Sequence, residues 1–129
     1  MQRFVLTATL LVLAACSPGP MTLEKLAGPS NIAAIDAAAA CNMDRALLLS
    51  SGDMTSADRP RRLMAHFTTA AIYSDQGRQT EARRLIEEAA ADPDLNPGAQ
   101  PVTSFDDPAE ALLQAIQDKR EALTGKRAC

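Results

Sequence analysis

The chain has 129 residues, with 13 basic and 16 acidic side chains and a formal net charge of −3. A mildly acidic chain lacks the basic surface that phosphate neutralisation requires, so we expect no nucleic-acid partner. Aromatic residues make up 3% of the sequence, there is no Trp, and Ala dominates the hydrophobic residues. Because Ala is the best helix former and strands favour β-branched and aromatic residues, the composition predicts an all-α fold.

The first segment has a short basic start, with Arg3, and continues as an apolar run over residues 4–15. This run is shorter than the roughly 20 residues that span a bilayer, and it is typical of a secretory signal peptide. Its last residues, Leu13-Ala14-Ala15-Cys16, resemble the lipobox of bacterial lipoproteins. That resemblance implies cleavage before Cys16, diacylation of its thiol and acylation of the new N-terminus. The alternatives are an ordinary signal peptide or a buried N-terminal helix with a chance cysteine.

The lipobox resemblance also implies a location in the bacterial cell envelope, facing the periplasm, with membrane contact through the lipid on Cys16. Residues 16–129 carry 12 basic and 16 acidic side chains, which gives no attraction to anionic headgroups, so the acyl chains must hold the protein. In families of this kind an Asp after the acylated cysteine indicates inner-membrane retention. Ser17 stands there, which favours the outer membrane.

Two further cysteines, Cys41 and Cys129, remain once Cys16 is assigned to the lipid. In an oxidising compartment they are expected to form a disulfide between the first long helix and the C-terminus. Closing so long a loop contributes about 4 kcal/mol by chain entropy. The alternative is a buried free thiol at Cys41, with Cys129 paired to another chain or reduced.

The predicted organisation is a cleaved segment at 1–15, a Pro- and Gly-bounded tether at 16–29 and a helical domain at 30–129. Apolar spacing and caps predict a small bundle of about four helices, near residues 31–50, 60–74, 80–91 and 108–124. Asp107 and Pro108 mark the start of the fourth helix, and Leu123 is expected on its buried face. Residues 93–106 form the longest predicted loop, with Leu95 and Phe105 pinning it to the bundle.

The predicted second and third helices, over about residues 63–93, resemble a tetratricopeptide repeat. The positions that carry the resemblance are Tyr73, Gly77, Ala82, Ile86, Ala89 and Pro93. The sequence departs from the repeat at His66, Thr69 and Ala70, where Trp, Leu and Gly are expected, and no second copy follows at the repeat period. The alternative is a generic helical hairpin.

His66 is the single histidine, and no nucleophile motif, metal-ligand cluster, phosphate loop or dinucleotide fingerprint accompanies it. We therefore expect no enzyme activity, metal or cofactor. Six arginines between residues 59 and 84 form either a patch for an acidic partner or a solvated face paired with nearby acids. The residues expected to contact a partner are Arg62, His66, Tyr73 and Arg78.

Together these features predict a membrane-anchored interaction module that holds a protein or peptide against the hairpin. The alternatives are a small envelope enzyme or accessory hydrolase using His66, and a purely structural envelope lipoprotein.

Overall fold

The computed structural model describes residues 23–129; the predicted signal peptide, Cys16 and the first part of the predicted tether lie outside these residues. The described part contains five α-helices and a 3₁₀ turn, and no strand. They are α1 (Leu23–Ala39), α2 (Met43–Gly52), the turn Asp53–Thr55, α3 (Arg59–Asp75), α4 (Gln79–Ala91) and α5 (Thr103–Thr124). The predicted all-α bundle is confirmed. Over residues 23–129, no helix is both long and apolar enough to cross a membrane.

Helix α3 lies at the centre of the bundle and packs against each of the other four helices. Where α3 meets α4, the side chains of Ala70, Ala71, Ala82 and Ala89 are almost completely buried. Methyl-sized side chains let two helix axes approach closely, and the larger Ile72 of α3 is completely buried in the same core. The alanine-rich composition is therefore the composition of the core.

Helix α1 begins earlier than the sequence predicted, inside the segment assigned to the tether. Gly28 kinks it with φ of 77°, and a side chain there would come within 2.9 Å of Arg61 Nε. Buried Asn31 donates from Nδ2 to the carbonyl of Ala27, at 2.7 Å, and to that of Arg61, at 3.4 Å. These contacts fasten the kink to the first turn of α3.

The helix predicted over residues 31–50 is interrupted, because α1 ends at Ala39 and α2 starts at Met43. Cys41 adopts a left-handed conformation with φ of 60°. The N–H groups of Cys41 and Asn42 donate to the carbonyls of Ala38 and Ala37, which is the hydrogen-bond pattern of a Schellman cap. Asn42 Oδ1 then accepts from the N–H of Arg45, so one short segment ends α1 and caps α2.

Helix α5 also differs from the prediction, since it starts at Thr103 and contains Pro108 within it. The proline lacks the N–H of a regular helical turn, which is why the sequence favoured a start at Asp107. Phe105 is buried and its ring centroid lies 5.9 Å from that of Phe67, so packing against α3 holds the extra first turn. This is a case of tertiary contact overriding a local signal.

The connection between α4 and α5, residues 92–102, is held by side chains within it. Leu95 is buried in the core, as predicted. Asn96 donates from Nδ2 to the carbonyls of Ala90 and Gln100 and accepts from the Gln100 N–H, all within 2.9 Å. Such bonds satisfy backbone groups that have no helical partner.

The last buried position of α5 belongs to Arg120 and not to Leu123, which is 63% exposed. The Arg120 side chain is 1% exposed and forms a two-bond salt bridge to Asp75, with contacts of 2.5 and 3.0 Å. Its guanidinium also donates to the carbonyls of Ala38, at 2.8 Å, and Arg127, at 2.5 Å. The expectation that Leu123 faces inward is wrong, because a paired charge occupies the site.

The predicted disulfide joins Cys41 to Cys129, with 5.7 Å between their Cα atoms and a sequence separation of 88. The C-terminal tail folds back along α5. The Arg127 guanidinium bonds to side chains of α5, including Asp118 and Glu121. The disulfide therefore connects the α1–α2 junction to a tail that also covers Arg120.

We predict that Arg120→Ala lowers the free energy of unfolding by about 3–5 kcal/mol, because it leaves the Asp75 carboxylate buried without its partner. The matched control is Lys119→Ala, which removes an exposed salt bridge to Asp36 and should cost less than about 1 kcal/mol. Urea unfolding followed by circular dichroism measures both. Equal losses for the two variants would contradict a special role for the buried pair.

We also predict that removing the disulfide by the double change Cys41→Ser and Cys129→Ser costs up to about 4 kcal/mol, since the unfolded chain regains the entropy of an open loop. Adding a thiol reductant to the unmutated chain should lower its urea midpoint to that of the double variant. The reductant should leave the double variant itself unchanged. An unaltered midpoint for the reduced chain would refute the prediction.

Candidate functional site

The four residues predicted to contact a partner lie on or next to α3, and the structure brings them together in two pairs. Arg78 stacks on Tyr73, with its guanidinium carbon 4.4 Å from the ring centroid, and pairs with Glu81 at 3.1 Å. His66 donates from Nδ1 to the carbonyl of Arg62, at 2.9 Å. Their expected role in partner binding stays a prediction.

Arg62 acts within the fold as a clamp. Its Nη1 donates to the carbonyl of Ser56 at 2.7 Å, and its Nη2 forms a salt bridge with Asp94 in the α4–α5 connection. Arg59 donates to the carbonyl of the same Asp94 residue. These bonds attach the connection to the start of α3.

The remaining arginines of the cluster also have acidic partners. Arg61 pairs with Asp58, Arg84 with Glu88 and Arg83 with Asp106. Glu87 stands four residues after Arg83 on the same helix, but the structure pairs Arg83 with Asp106 on α5, at 3.0 Å. These arginines pair with acids of the same chain, as the second interpretation expected, and binding of the cluster to an acidic partner stays a prediction.

A groove of about 510 Å³ lies between α3, α4 and α5. Its floor is apolar and is contributed by all three helices, through Ala70, Ala82, Ile86, Ala109 and Leu113. A volume of this size falls within the range of ligand-binding clefts. The groove exists because α5 packs on α3 and contacts α4 only lightly.

The rim of the groove is polar and uneven in charge. It is lined by Ser74, Gln79, Arg83, Asp106, Asp107 and Glu110. The rim thus has three carboxylates and one guanidinium, and that guanidinium is already paired with Asp106 in the Arg83–Asp106 salt bridge. Across residues 23–129, no cation lies within salt-bridge distance of Asp107 or Glu110.

None of the four predicted contact residues lines this groove, and sequence reasoning missed the residues that do. Asp107 had been interpreted as a helix cap, and the predicted loop at 93–106 had included Asp106. The available signal was the spacing of Asp106, Asp107 and Glu110, which places acidic side chains on successive turns once α5 is known to begin at Thr103.

Over the described residues, no group of three or more His, Cys, Asp or Glu side chains is placed to hold a metal ion. His66 lies outside the residues that line the groove. The alternative of a small envelope enzyme using His66 stays a prediction.

No protein-family description, curated protein or solved structure matches this chain. The lipobox resemblance and the repeat resemblance of α3 and α4 therefore stay predictions, and function has to be argued from the geometry.

The geometry of the hairpin turn predicts how Glu81 titrates. Its pKa lies below the ordinary value of 4.5, first because a backbone N–H donates to the carboxylate and second because Arg78 does. Since the pKa is lowered in the folded state, the interaction stabilises the hairpin above pH 4.5 and is lost as the pH falls through the folded-state pKa.

We predict that Arg78→Ala raises the Glu81 pKa toward 4.5, as measured by ¹³C NMR of its carboxyl carbon. Arg84→Ala is the control, because Arg84 is the weakest of the groups that lower this pKa. The same Arg78 variant should change the fluorescence of Tyr73, the single tyrosine of the chain. A shift as large in the Arg84 variant would rule out the direct contact as the cause.

Proposed function

We propose that this chain is a bacterial envelope lipoprotein, acylated at Cys16 and facing the periplasm, whose helical domain holds a segment of another protein in the groove between α3, α4 and α5. The outer membrane is favoured by Ser17. The lipobox-like residues support the anchor, and a disulfide between Cys41 and Cys129 suits an oxidising compartment.

One observation carries the binding role, which is the groove itself. It combines an apolar floor with a polar rim, the composition typical of sites that recognise a ligand. It is formed in part by the hairpin of α3 and α4, although the four residues predicted to contact a partner do not line it. Near its two ends, α5 is fixed to α3 by the Phe67–Phe105 contact and the Arg120–Asp75 pair, so this side of the groove is preorganised for binding.

The anchor is tested by growing cells with a clickable fatty acid and purifying the full chain. We expect the unmutated protein to carry the label and Cys16→Ser to lose it. Cys41→Ser is the matched control, because it removes a different cysteine and should keep the label. Labelling that persists in Cys16→Ser would contradict the proposed attachment site.

The binding role is tested with a photo-crosslinking amino acid placed at Gln79, on the rim of the groove, in cells that make the full chain. The control position is Leu48, which is 74% exposed on α2 and outside the groove. We expect a discrete protein adduct from position 79 and none from position 48. No adduct from position 79, or the same adduct from both, would refute the groove as the binding surface.

A further inference from the structure

The charge of the groove indicates the chemistry of its occupant. Asp106 is neutralised by Arg83 at 3.0 Å, and within residues 23–129 it is the one rim carboxylate with a cationic partner. In the described part of the chain, Glu110 accepts one hydrogen bond, from Gln114 at 2.9 Å, and Asp107 accepts none. Both are exposed and border the floor, so the groove presents two uncompensated negative charges.

These two carboxylates are spaced to act together. Asp107 and Glu110 are three residues apart on α5, which places their Cβ atoms about 5–6 Å from each other on one face. A single guanidinium can bridge such a pair, and two neighbouring cationic side chains can also occupy it.

The floor beside the carboxylates adds a second requirement. Ile86 and Leu113 contribute aliphatic side chains to the lining of the same groove. Lys and Arg side chains have an apolar stem and a charged head, so they can cover such a floor while their charge reaches the rim. Ser74 and Gln79, which also line the groove, bond to each other only weakly, at 3.4 Å, and can exchange those bonds for bonds to a peptide backbone.

We infer that the occupant of the groove is a cationic, partly apolar segment of a partner protein, with Lys or Arg at Asp107 and Glu110 and aliphatic side chains on the floor formed by Ile86 and Leu113. This rests on the proposed function and specifies its ligand. The net negative charge of residues 16–129 increases the rate of encounter with such a segment.

Arg83 has a defined place in this inference, because it competes with the ligand. Its guanidinium holds Asp106 and lowers the negative charge of the rim. Replacing it with Gln frees a third carboxylate for the ligand. The inference thus requires opposite effects from substitutions at neighbouring groove positions.

The experiment uses the full chain in detergent and three fluorescein-labelled peptides of ten residues. The first contains Arg and Leu, the second has Glu in place of Arg, and the third has Ser in place of Leu. Binding is measured by fluorescence anisotropy at two salt concentrations. Of the three peptides, we expect the Arg–Leu peptide to bind most tightly. Its affinity should be lower at the higher salt concentration, because salt screens its charges.

Four variants are compared with the unmutated chain. Asp107→Asn and Glu110→Gln should each lower the affinity for the Arg–Leu peptide about two- to fivefold, which is in the range of exposed ion pairs. Arg83→Gln should raise that affinity by a similar factor. The control Asp44→Asn removes the same charge from an exposed position on α2, outside the groove. It should change the affinity less than the groove variants do. Circular dichroism and Tyr73 fluorescence verify that each variant is folded.

Three results would overturn the inference. The first is a Glu peptide that binds as tightly as the Arg–Leu peptide, and the second is a Ser peptide that does so. The third is a loss of affinity in Asp44→Asn as large as that in Asp107→Asn. If crosslinking from position 79 still yields a specific adduct in those cases, the groove binds a partner of other chemistry and the proposed function stands. If it yields none, both proposals fail.

Discussion

The salt bridge between Arg120 and Asp75 is the constraint on which the arrangement of this bundle depends. Both side chains are almost fully buried, at 1% and 3% exposure. A buried charge is costly unless its partner and hydrogen bonds are in place, so neither side chain tolerates displacement. The guanidinium also binds the carbonyls of Ala38 and Arg127. One side chain therefore fixes the ends of α1 and α3 and the C-terminal tail relative to α5.

The disulfide acts on the same end of the molecule. It ties the tail to Cys41, directly after α1, while Arg127 attaches the tail to α5. The disulfide reduces the conformational entropy of the unfolded chain, and the salt bridge favours one packing of the helices in the folded chain. The left-handed conformation of Cys41, unusual for a residue other than glycine, belongs to this junction.

The groove follows from how α5 is held. Arg120 fixes one end to α3, and Phe105 fixes the other against Phe67. Between these points α5 is not packed tightly on α4, and the Arg83–Asp106 salt bridge spans the two helices at the rim. The same architecture that stabilises the bundle thus leaves a cleft with excess negative charge on its rim.

The sequence predicted the elements whose signals are local. Asp58 caps α3, Pro60 lies in its first turn and Gly77 ends it in a left-handed conformation, which are positions that these residue types favour. The second and third predicted helices match α3 and α4 within about one residue. The Asp58 side chain caps the start of α3, whereas α4 starts at Gln79 without a side-chain cap. The predicted helix boundaries were wrong at Cys41 and Pro108. At Cys41 a cap without glycine interrupts the predicted helix, and before Pro108 packing extends α5 by one turn.

By itself the sequence determined the all-α class, the central hairpin and the availability of Cys41 and Cys129 for a disulfide. It also determined the charge balance, since that is a property of composition. Only the tertiary structure decided that Arg120 is buried against Asp75, 45 residues away, and that Arg83 pairs with Asp106, 23 residues away. Helix signals act over one turn of the chain, whereas these partners meet only after the helices pack, and the groove arises from that packing.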